Sequence, residues 1–441
     1  MISDGPRSVQ IDASSHCQLS CPLCPTADGR ARPVLGAGHL KVADFEALLD
    51  GNPSLVEVEL SNYGEMFLNP CLPELLRAAY RRKVVVSGNN GVNLNFAREE
   101  ALEAVVRYRV RALTCSIDGA SQATYARYRR NGNFDKVLSH IDRIIEYKRR
   151  FRTAFPMLYW QFVVFGHNEH ELVTARKMAA DRGMEFVPRL SWDADHSPIN
   201  NSELVRIETG LAAADREEYK RKTGISYTRE ICSQLWHAPV VNWDGKLLGC
   251  CVNYWGDFGS NVFLEGLEKS TANSTMQRAR RMLTGEEAAA PDVPCSTCHQ
   301  YAGLCDSGQW LTREEIESYA RPKYIVSLNP IPHGRIRFAQ IGVTQADTRG
   351  QNNGAPSFGV SGRIFRFGID SAVFCSVPSP GEYRAEVRTL TSDGWQRLTY
   401  PFTVDERPVC QELVIDFKHC VPAAREEHGN TKLTWLPCWI C

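Results

Sequence analysis

The pattern of this chain predicts an α/β fold: a partial (β/α)6 TIM barrel, then a small cysteine-bearing domain, then a C-terminal β-sandwich-like domain. Three observations lead there. Short, apolar, β-branched runs alternate with amphipathic stretches from residue 9 to about 190. Helical periodicity then weakens and cysteines return between residues 228 and 310. From about residue 322 the chain becomes rich in Gly, Ser and Thr, with short alternating runs and turn signals between them. The domain bounds expected on this basis are 1–225, 226–320 and 321–441.

In the first region, strands are expected at Val9–Asp12, Val56–Leu60, Lys83–Ser87, Ala112–Ile117, Tyr159–Phe165 and Glu185–Leu190. Between them, apolar residues recur at helical spacing in Val42–Leu49, Leu72–Arg81, Glu99–Tyr108, Asp135–Arg149 and Glu169–Arg182. Near-continuous apolar strands suit a parallel sheet covered by helices. Six units fit an open barrel better than a closed eightfold one, and such folds carry their chemistry at the C-terminal ends of the strands. In the second region Trp243-Asp244-Gly245 reads as a hairpin turn. In the third, strands are expected at Arg335–Ile341, Gly362–Ile369, Gly381–Thr389, Gln396–Val404 and Glu412–Phe417.

Composition narrows the function. The 441 residues carry 51 basic and 51 acidic side chains, so no long-range field recruits nucleic acid or an acidic membrane. No apolar run reaches the length of a membrane span. The start of the chain lacks the features of a signal peptide, and with 16 cysteines that points to metal clusters in a reducing cytoplasm rather than to disulfides.

The densest signal is Cys17-Gln-Leu-Ser-Cys21-Pro-Leu-Cys24, three thiols in eight residues just beyond the first expected strand. A tetrahedral zinc site wants four ligands. Three clustered thiolates leave one iron of a [4Fe–4S] cube without a cysteine, open to substrate or cofactor. This C-x3-C-x2-C resembles the signature of the radical S-adenosylmethionine (SAM) enzymes. The resemblance spans about residues 7–310. It implies that the open iron holds SAM and that an electron from the cluster splits SAM into methionine and a 5′-deoxyadenosyl radical. The alternatives on spacing alone are a zinc knuckle or three core cysteines.

The resemblance extends to the later strand ends. Tyr63-Gly64-Glu65 stands where the family has a Gly-Gly-Glu-like turn to the SAM amino group, with Tyr63 replacing the first glycine. Ser87-Gly88-Asn89-Asn90-Gly91 looks like the family's Thr-Asn-Gly turn, which assigns Asn89. Ser116 and Asp118 fall on one side of the fourth strand, the lumen side, while Cys115 faces the other way. Ser116 is then a SAM carboxylate or ribose contact, Asp118 a proton acceptor, Arg129 a carboxylate contact and Gln161 a ribose or substrate contact. Each also has an ordinary reading as a loop, helix-end or core residue.

Cys232, Cys250, Cys295 and Cys298 form C-x12-G-x4-C followed by C-x2-C. This resembles the auxiliary-cluster region called SPASM, in its shortened twitch form. It implies a second, fully ligated [4Fe–4S] cluster; the same spacing is compatible with four-thiolate zinc. Cys251 and Cys305 are left over, as ligand replacements, hydrogen-atom donors or plain packing. At the C-terminus Cys410, Cys420, Cys438 and Cys441 could hold zinc.

The function expected is that of a radical SAM oxidoreductase that dehydrogenates a sugar-like or other small polar substrate. The auxiliary cluster would accept an electron and a flavodoxin or ferredoxin would supply one. Besides Asp118, Glu65 and Asp244 are candidates for the proton. The alternatives are epimerisation with Cys251 or Cys305 returning a hydrogen atom, modification of a peptide, and a non-enzymatic zinc protein.

Overall fold

The computed structural model describes residues 6–320 and the strand residues between 324 and 422. It divides into two units, one of residues 1–151 and 155–320, the other of 152–154 and 321–440.

The first unit follows a β/α rhythm. In chain order it contains β1 (Ser8–Ile11), α1 (Arg32–Leu35), α2 (Val42–Gly51), β2 (Glu57–Glu59), α3 (Leu72–Arg81), β3 (Val85–Val92), α4 (Glu99–Arg107) and β4 (Ala112–Ser116). It continues with α5 (Gln122–Tyr128), α6 (Phe134–Phe151), β5 (Met157–Val164), α7 (Leu172–Asp181), β6 (Glu185–Leu190), α8 (Ser202–Thr209), α9 (Arg216–Thr223) and α10 (Gln234–His237). The hairpin β7 (Val240–Val241) and β8 (Leu247–Gly249) follows. The sheet runs β6-β5-β4-β3-β2-β1-β7-β8, parallel from β6 to β7, with β8 antiparallel. This is the expected partial barrel, with one addition. The hairpin turning at Asp244-Gly245 docks beside β1, where Gln10 N donates to the Pro239 carbonyl at 3.1 Å, and so widens the six-stranded sheet to eight.

Strand ends differ most at β3. The sequence reads Ser87–Gly91 as a turn, but the strand runs on to Val92. Its polar tip is held from a neighbouring strand: the Glu59 carboxylate accepts from Ser87 Oγ at 2.7 Å and from Asn89 N at 2.8 Å. The register against β4 slips between Gly88 and Val92, and the bulge absorbs the two glycines. The helices bury one stripe each. Leu75, Leu76 and Ala79 of α3, Leu102 and Val105 of α4, and Val137, Ile141 and Ile144 of α6 join one core with the outer face of the sheet. No helix among the described residues is long and apolar enough to cross a membrane.

The second unit is built of strands: β9 (Tyr324–Ile331), β10 (Phe338–Gln345), β11 (Phe365–Arg366), β12 (Val373–Val377), β13 (Gly381–Thr391), β14 (Gly394–Val404), β15 (Gln411–Asp416) and β16 (Val421–Pro422). They form a five-stranded antiparallel sheet, β11-β10-β13-β14-β16, and a three-stranded one, β12-β9-β15, in which β9 and β15 run parallel. β9 and β12 escape the sequence reading because their apolar runs lack a clean alternation. Tyr383 and Phe402 pair across β13 and β14 with rings stacked at 5.8 Å.

Candidate functional site

Alternation along the strands sorts the barrel into two faces. Val9, Ile11, Val58, Leu113, Cys115, Leu158, Trp160 and Phe162 point into the core shared with the helices. Cys115 therefore faces away from the lumen, as its position beside Ser116 predicts. The inner face carries Gln10, Asp12, Glu59, Ser61, Ser87, Asn89, Thr114, Ser116, Asp118 and Gln161. Much of this polar lining is bonded internally: Gln10 Nε2 donates to the Ser61 carbonyl at 2.8 Å, and Glu59 gathers Ser61, Ser87 and Asn89. Burial raises the Glu59 carboxyl, against the pull of those donors. Three atoms of this face are nevertheless buried without a hydrogen-bond partner, namely Asp12 Oδ2, Asn89 Oδ1 and Thr114 Oγ1, and Asn62 Nδ2 and Gln18 Oε1 at the strand ends join them. Buried polar atoms are normally satisfied.

The cysteine loop follows β1 directly. Cys24 N donates to the Cys21 carbonyl at 3.1 Å and Ala27 N to the Cys24 carbonyl at 3.0 Å, so the segment turns tightly and draws its thiols together. Cys21 is buried, and Cys17 and Cys24 are half-buried, packed with Leu19, Tyr128, Val163 and Phe165. Asn93 Nδ2 stands 3.7 Å from Cys17 Sγ, and Arg129 Nη1 stands 3.9 Å from Cys21 Sγ. Burial, then the Glu65 charge and the two neighbouring thiols, pushes Cys17 up to about 12. Burial also raises Cys21, against Arg129. Thiolates in such a set need a cationic body between them, and binding one would release their protons. The donor set thus fits an iron–sulfur cluster held by Cys17, Cys21 and Cys24.

Gly64 and Glu65 are fastened to this loop. Glu65 N donates to the His16 carbonyl at 2.7 Å, and a side chain at Gly64 would put its Cβ 1.7 Å from the Ser14 carbonyl oxygen. The Glu65 carboxylate accepts from Phe67 N at 3.1 Å and from Asn93 N at 2.6 Å, while burial lifts it to about 7. Tyr63, in the place of the missing glycine, leaves its backbone carbonyl to Thr26 Oγ1 at 2.6 Å and turns its ring edge-on to Tyr254, centroids 5.8 Å apart.

Across the lumen, Ser116 and Gln161 are register partners, and Gly91 lies above both. With φ at +116°, Gly91 brings its backbone close to both, and a Cβ there would meet Ser116 Oγ at 2.7 Å and Gln161 Nε2 at 3.9 Å. Asp118 is wholly buried and both its oxygens are engaged. Oδ2 accepts from Arg129 Nε at 2.6 Å and Oδ1 from Val163 N at 2.8 Å. Burial raises its carboxyl and Arg129 pulls it back. Burial works against the guanidinium as well, and the Asp118 charge more than restores it. Where the sequence suggests a proton acceptor, the geometry gives Asp118 the work of aiming Arg129 at Cys21. Asp244, another proton candidate, is a turn residue: its Oδ1 accepts from Asn242 Nδ2 at 2.8 Å and from Lys246 N at 3.2 Å.

The second set of thiols forms in the hairpin region. Cys232 lies in the short helix Arg229–Ser233, Cys250 follows β8, Cys295 lies in the helical turn Pro294–Thr297 and Cys298 follows it. All four are buried. Burial, then the charges of Cys250, Cys298 and Cys295, drives Cys232 far up, and burial lifts Cys250 to about 12. The four are thus electrical neighbours. No three His, Cys, Asp or Glu among the described residues close tightly on a single ion, and this holds for Cys17, Cys21 and Cys24 as well as for these four. Cys251 packs with Tyr63 and Tyr254, and its N–H donates to Gln234 Oε1 at 2.9 Å. Cys305 is exposed, in a surface groove with Tyr301 and Trp310. Cys410, Cys420, Cys438 and Cys441 lie outside the described residues.

The sequence reading passes over Asp12, Asn62 and Asn93. The signal for Asp12 is there, an acid two residues beyond a buried glutamine on one strand. Asn93 reaches Cys17 only through the extra length of β3.

No family model matches this chain, and no curated protein matches it. Among solved structures it is similar to Streptococcus suis SuiB bound to S-adenosylmethionine, at 12% identity and a TM-score of 0.47, over 68% of this chain and 72% of that one. It is similar to BtrN in complex with AdoMet and 2-DOIA, at 14% identity and 0.39, over 66% and 92%. A third is the radical S-adenosylmethionine methyltransferase TsrM from Kitasatospora setae, solved with cobalamin and a [4Fe–4S] cluster, at 13% identity and 0.33, over 42% and 37%. At this level of likeness the chemistry has to be read from this chain's own residues.

Proposed function

We propose that this chain is a radical SAM oxidoreductase acting on a sugar-like or other small polar substrate. The observation that carries the reading is the three-thiol loop at the mouth of a polar, incompletely bonded lumen, with Arg129 aimed at one thiol. Cys17, Cys21 and Cys24 would hold a SAM-binding [4Fe–4S] cluster, and Cys232, Cys250, Cys295 and Cys298 an auxiliary one in a twitch-type region. Together these groups supply reductive cleavage of SAM to a 5′-deoxyadenosyl radical and one-electron transfer, with a flavodoxin or ferredoxin as the external donor.

The chain's own residues then have separable tasks. The Gly64-Glu65 turn would present its backbone to the SAM ammonium, while both Glu65 oxygens hold the turn in shape through Phe67 N and Asn93 N and its fastening to the His16 carbonyl keeps it beside the thiols. Arg129, locked by Asp118, offers its remaining donors to the SAM carboxylate. Ser116, Gln161 and Asn89 line the lumen where the ribose and substrate would lie. Gly91 lets its backbone come close over Ser116 and Gln161, where any side chain would crowd them.

The test is anaerobic reconstitution with iron, sulfide and zinc counted per chain. About eight irons, falling to about four in the Cys17/Cys21/Cys24→Ala variant together with loss of 5′-deoxyadenosine formation, is the expected result. Zinc without iron would sink the reading. A second outcome, epimerisation, draws on one observation: Cys251 packs against Tyr63, next to the SAM turn. Solvent deuterium in an unoxidised product would favour it.

A further inference from the structure

Guanidiniums set into the first unit meet carboxylates: Arg129 meets Asp118, Arg111 meets Glu57 and Arg229 meets Glu315. Arg216, at the start of α9, does not. Its Nε donates to the Leu190 carbonyl at 3.1 Å, and its guanidinium carbon lies over the Tyr227 ring, 5.0 Å from the centroid. Among the described residues neither of its Nη groups finds a hydrogen-bond acceptor, and no carboxylate comes within ion-pair reach. Arg280 also lacks an acid, but it commits both Nε and Nη2 to the Leu235 carbonyl, at 3.2 and 2.6 Å, as a brace for α10. Burial lowers Arg216 to about 10, with Tyr227 opposing and the Arg189 charge pulling the same way. It therefore stays charged at neutral pH. A guanidinium set partly out of water wants a counter-charge, and its planar fork matches a carboxylate or a phosphate.

Its place in the fold is specific. Leu190 ends β6, the edge strand of the open barrel, so Arg216 stands at the strand end where such folds carry their chemistry. Arg189, in register with Val163 and so on the lumen side of β6, adds to the positive field there. Tyr227 comes shortly before Cys232, and His299, which feels the Arg216 charge, directly follows Cys298. The fork is thus held between the open edge of the barrel and the second set of thiols. The Leu190 bond and the Tyr227 ring fix its orientation in advance. We infer that the two Nη groups of Arg216 anchor an oxyanion of the substrate, a carboxylate or a phosphate, at the open edge of the barrel. This deepens the radical SAM reading, and rests on it for the ligand's being the substrate. It narrows a small polar substrate to an acidic one, and it leaves Arg129, already committed to Asp118 and Cys21, to its own side of the lumen.

The experiment is calorimetric titration of the reconstituted, SAM-loaded protein at pH 7 and fixed ionic strength. Glucuronate and glucose 6-phosphate are the probes, and glucose is the neutral control. Wild type should bind at least one of the acidic sugars about tenfold or more tighter than glucose, and the tighter of the two names the oxyanion. Arg216→Gln should abolish that preference while iron content and SAM affinity stay the same. Arg216→Lys keeps the charge and loses the fork, so it should weaken the preference severalfold, and it decides the matter if Arg216→Gln fails to fold. Acidic sugars bound no better than glucose by wild type, or a preference that survives both substitutions, would overturn the anchor. A wild-type protein that forms no 5′-deoxyadenosine yet prefers an acidic sugar through Arg216 would keep the anchor and sink the radical reading. One that forms 5′-deoxyadenosine without any such preference would do the reverse.

Discussion

The barrel loop and the hairpin region each gather cysteines, but on different terms. Cys17, Cys21 and Cys24 are three thiols on one tight turn, two of them half-buried, with Asn93 and Arg129 within 4 Å of sulfur. Cys232, Cys250, Cys295 and Cys298 are four buried thiols from separate elements within the main core. The first set is short of one ligand and open at the lumen. The second is complete and closed. On the proposed reading the same side chain would serve a reactive centre in one place and an electron-carrying or structural one in the other, with ligand count and access making the difference.

Single thiol replacements give the largest effects and break this contrast if it is wrong. Cys21→Ala should abolish 5′-deoxyadenosine formation with a small loss of thermal stability. Cys250→Ala should also cost about four irons, yet leave 5′-deoxyadenosine forming without oxidised product. It should lower the melting temperature more, because its site ties the Arg229–Ser233 helix, β8 and the Pro294–Thr297 turn into the core. Iron assays, product analysis and a melt on each variant separate these outcomes. Equal loss of SAM cleavage in both would end the division of labour.

Next in size is the ion pair that serves the open site. Asp118→Ala leaves Arg129 buried without its partner, and a destabilisation of about 3–5 kcal/mol is expected in denaturant titration. The exposed pair Arg82–Asp50 is just as short, at 2.6 Å, and its removal should cost far less, since solvent screens it. Comparable losses would mean that Asp118 is not specially placed. A smaller, local effect follows at Gly64. Gly64→Ala drives a Cβ into the Ser14 carbonyl, costs about 1–3 kcal/mol and should weaken SAM binding at least tenfold by moving Glu65, with the auxiliary irons retained.

The two sites were unequally legible in the sequence. Local signals carried the elements: Leu72–Arg81 and Glu185–Leu190 have the expected ends, since a proline opens the first and a short apolar run fills the second. The cysteine spacings pointed to both sets. What the sequence could not display was pairing at a distance. Ser87–Gly91 looks like a turn because the glycines and asparagines are visible and Glu59, almost thirty residues earlier, is not recognisable as their acceptor. Asp118 looked free to take a proton because Arg129 and Val163 close on it only in three dimensions. Asp12 passed unnoticed for the same reason, since its partners Tyr63 and Asn62 lie some fifty residues further along the chain.

The subtlest expected effect concerns His167, on the loop after β5 that flanks the barrel site. Its Nδ1 lies 2.9 Å from Ser197 Oγ, and its ring stacks on Phe165 with centroids 5.3 Å apart. Burial, then the charges of Arg127, His196 and His170, lowers it to about 4. An unfolded histidine titrates near 6.5. Between the two values the unfolded chain binds a proton that the folded chain refuses, so stability falls as pH drops from about 6.5 to about 4 and levels off below. One proton sets a slope of at most about 1.4 kcal/mol per pH unit, reduced here because the ring is only half-buried. His167→Gln, which cannot titrate, should flatten that slope by up to one proton while leaving the metal content at both cysteine sets unchanged. Chemical denaturation at pH 7, 6, 5 and 4 measures it. An unchanged slope would place the ring in solvent and detach the β5 loop from the wall of the open site.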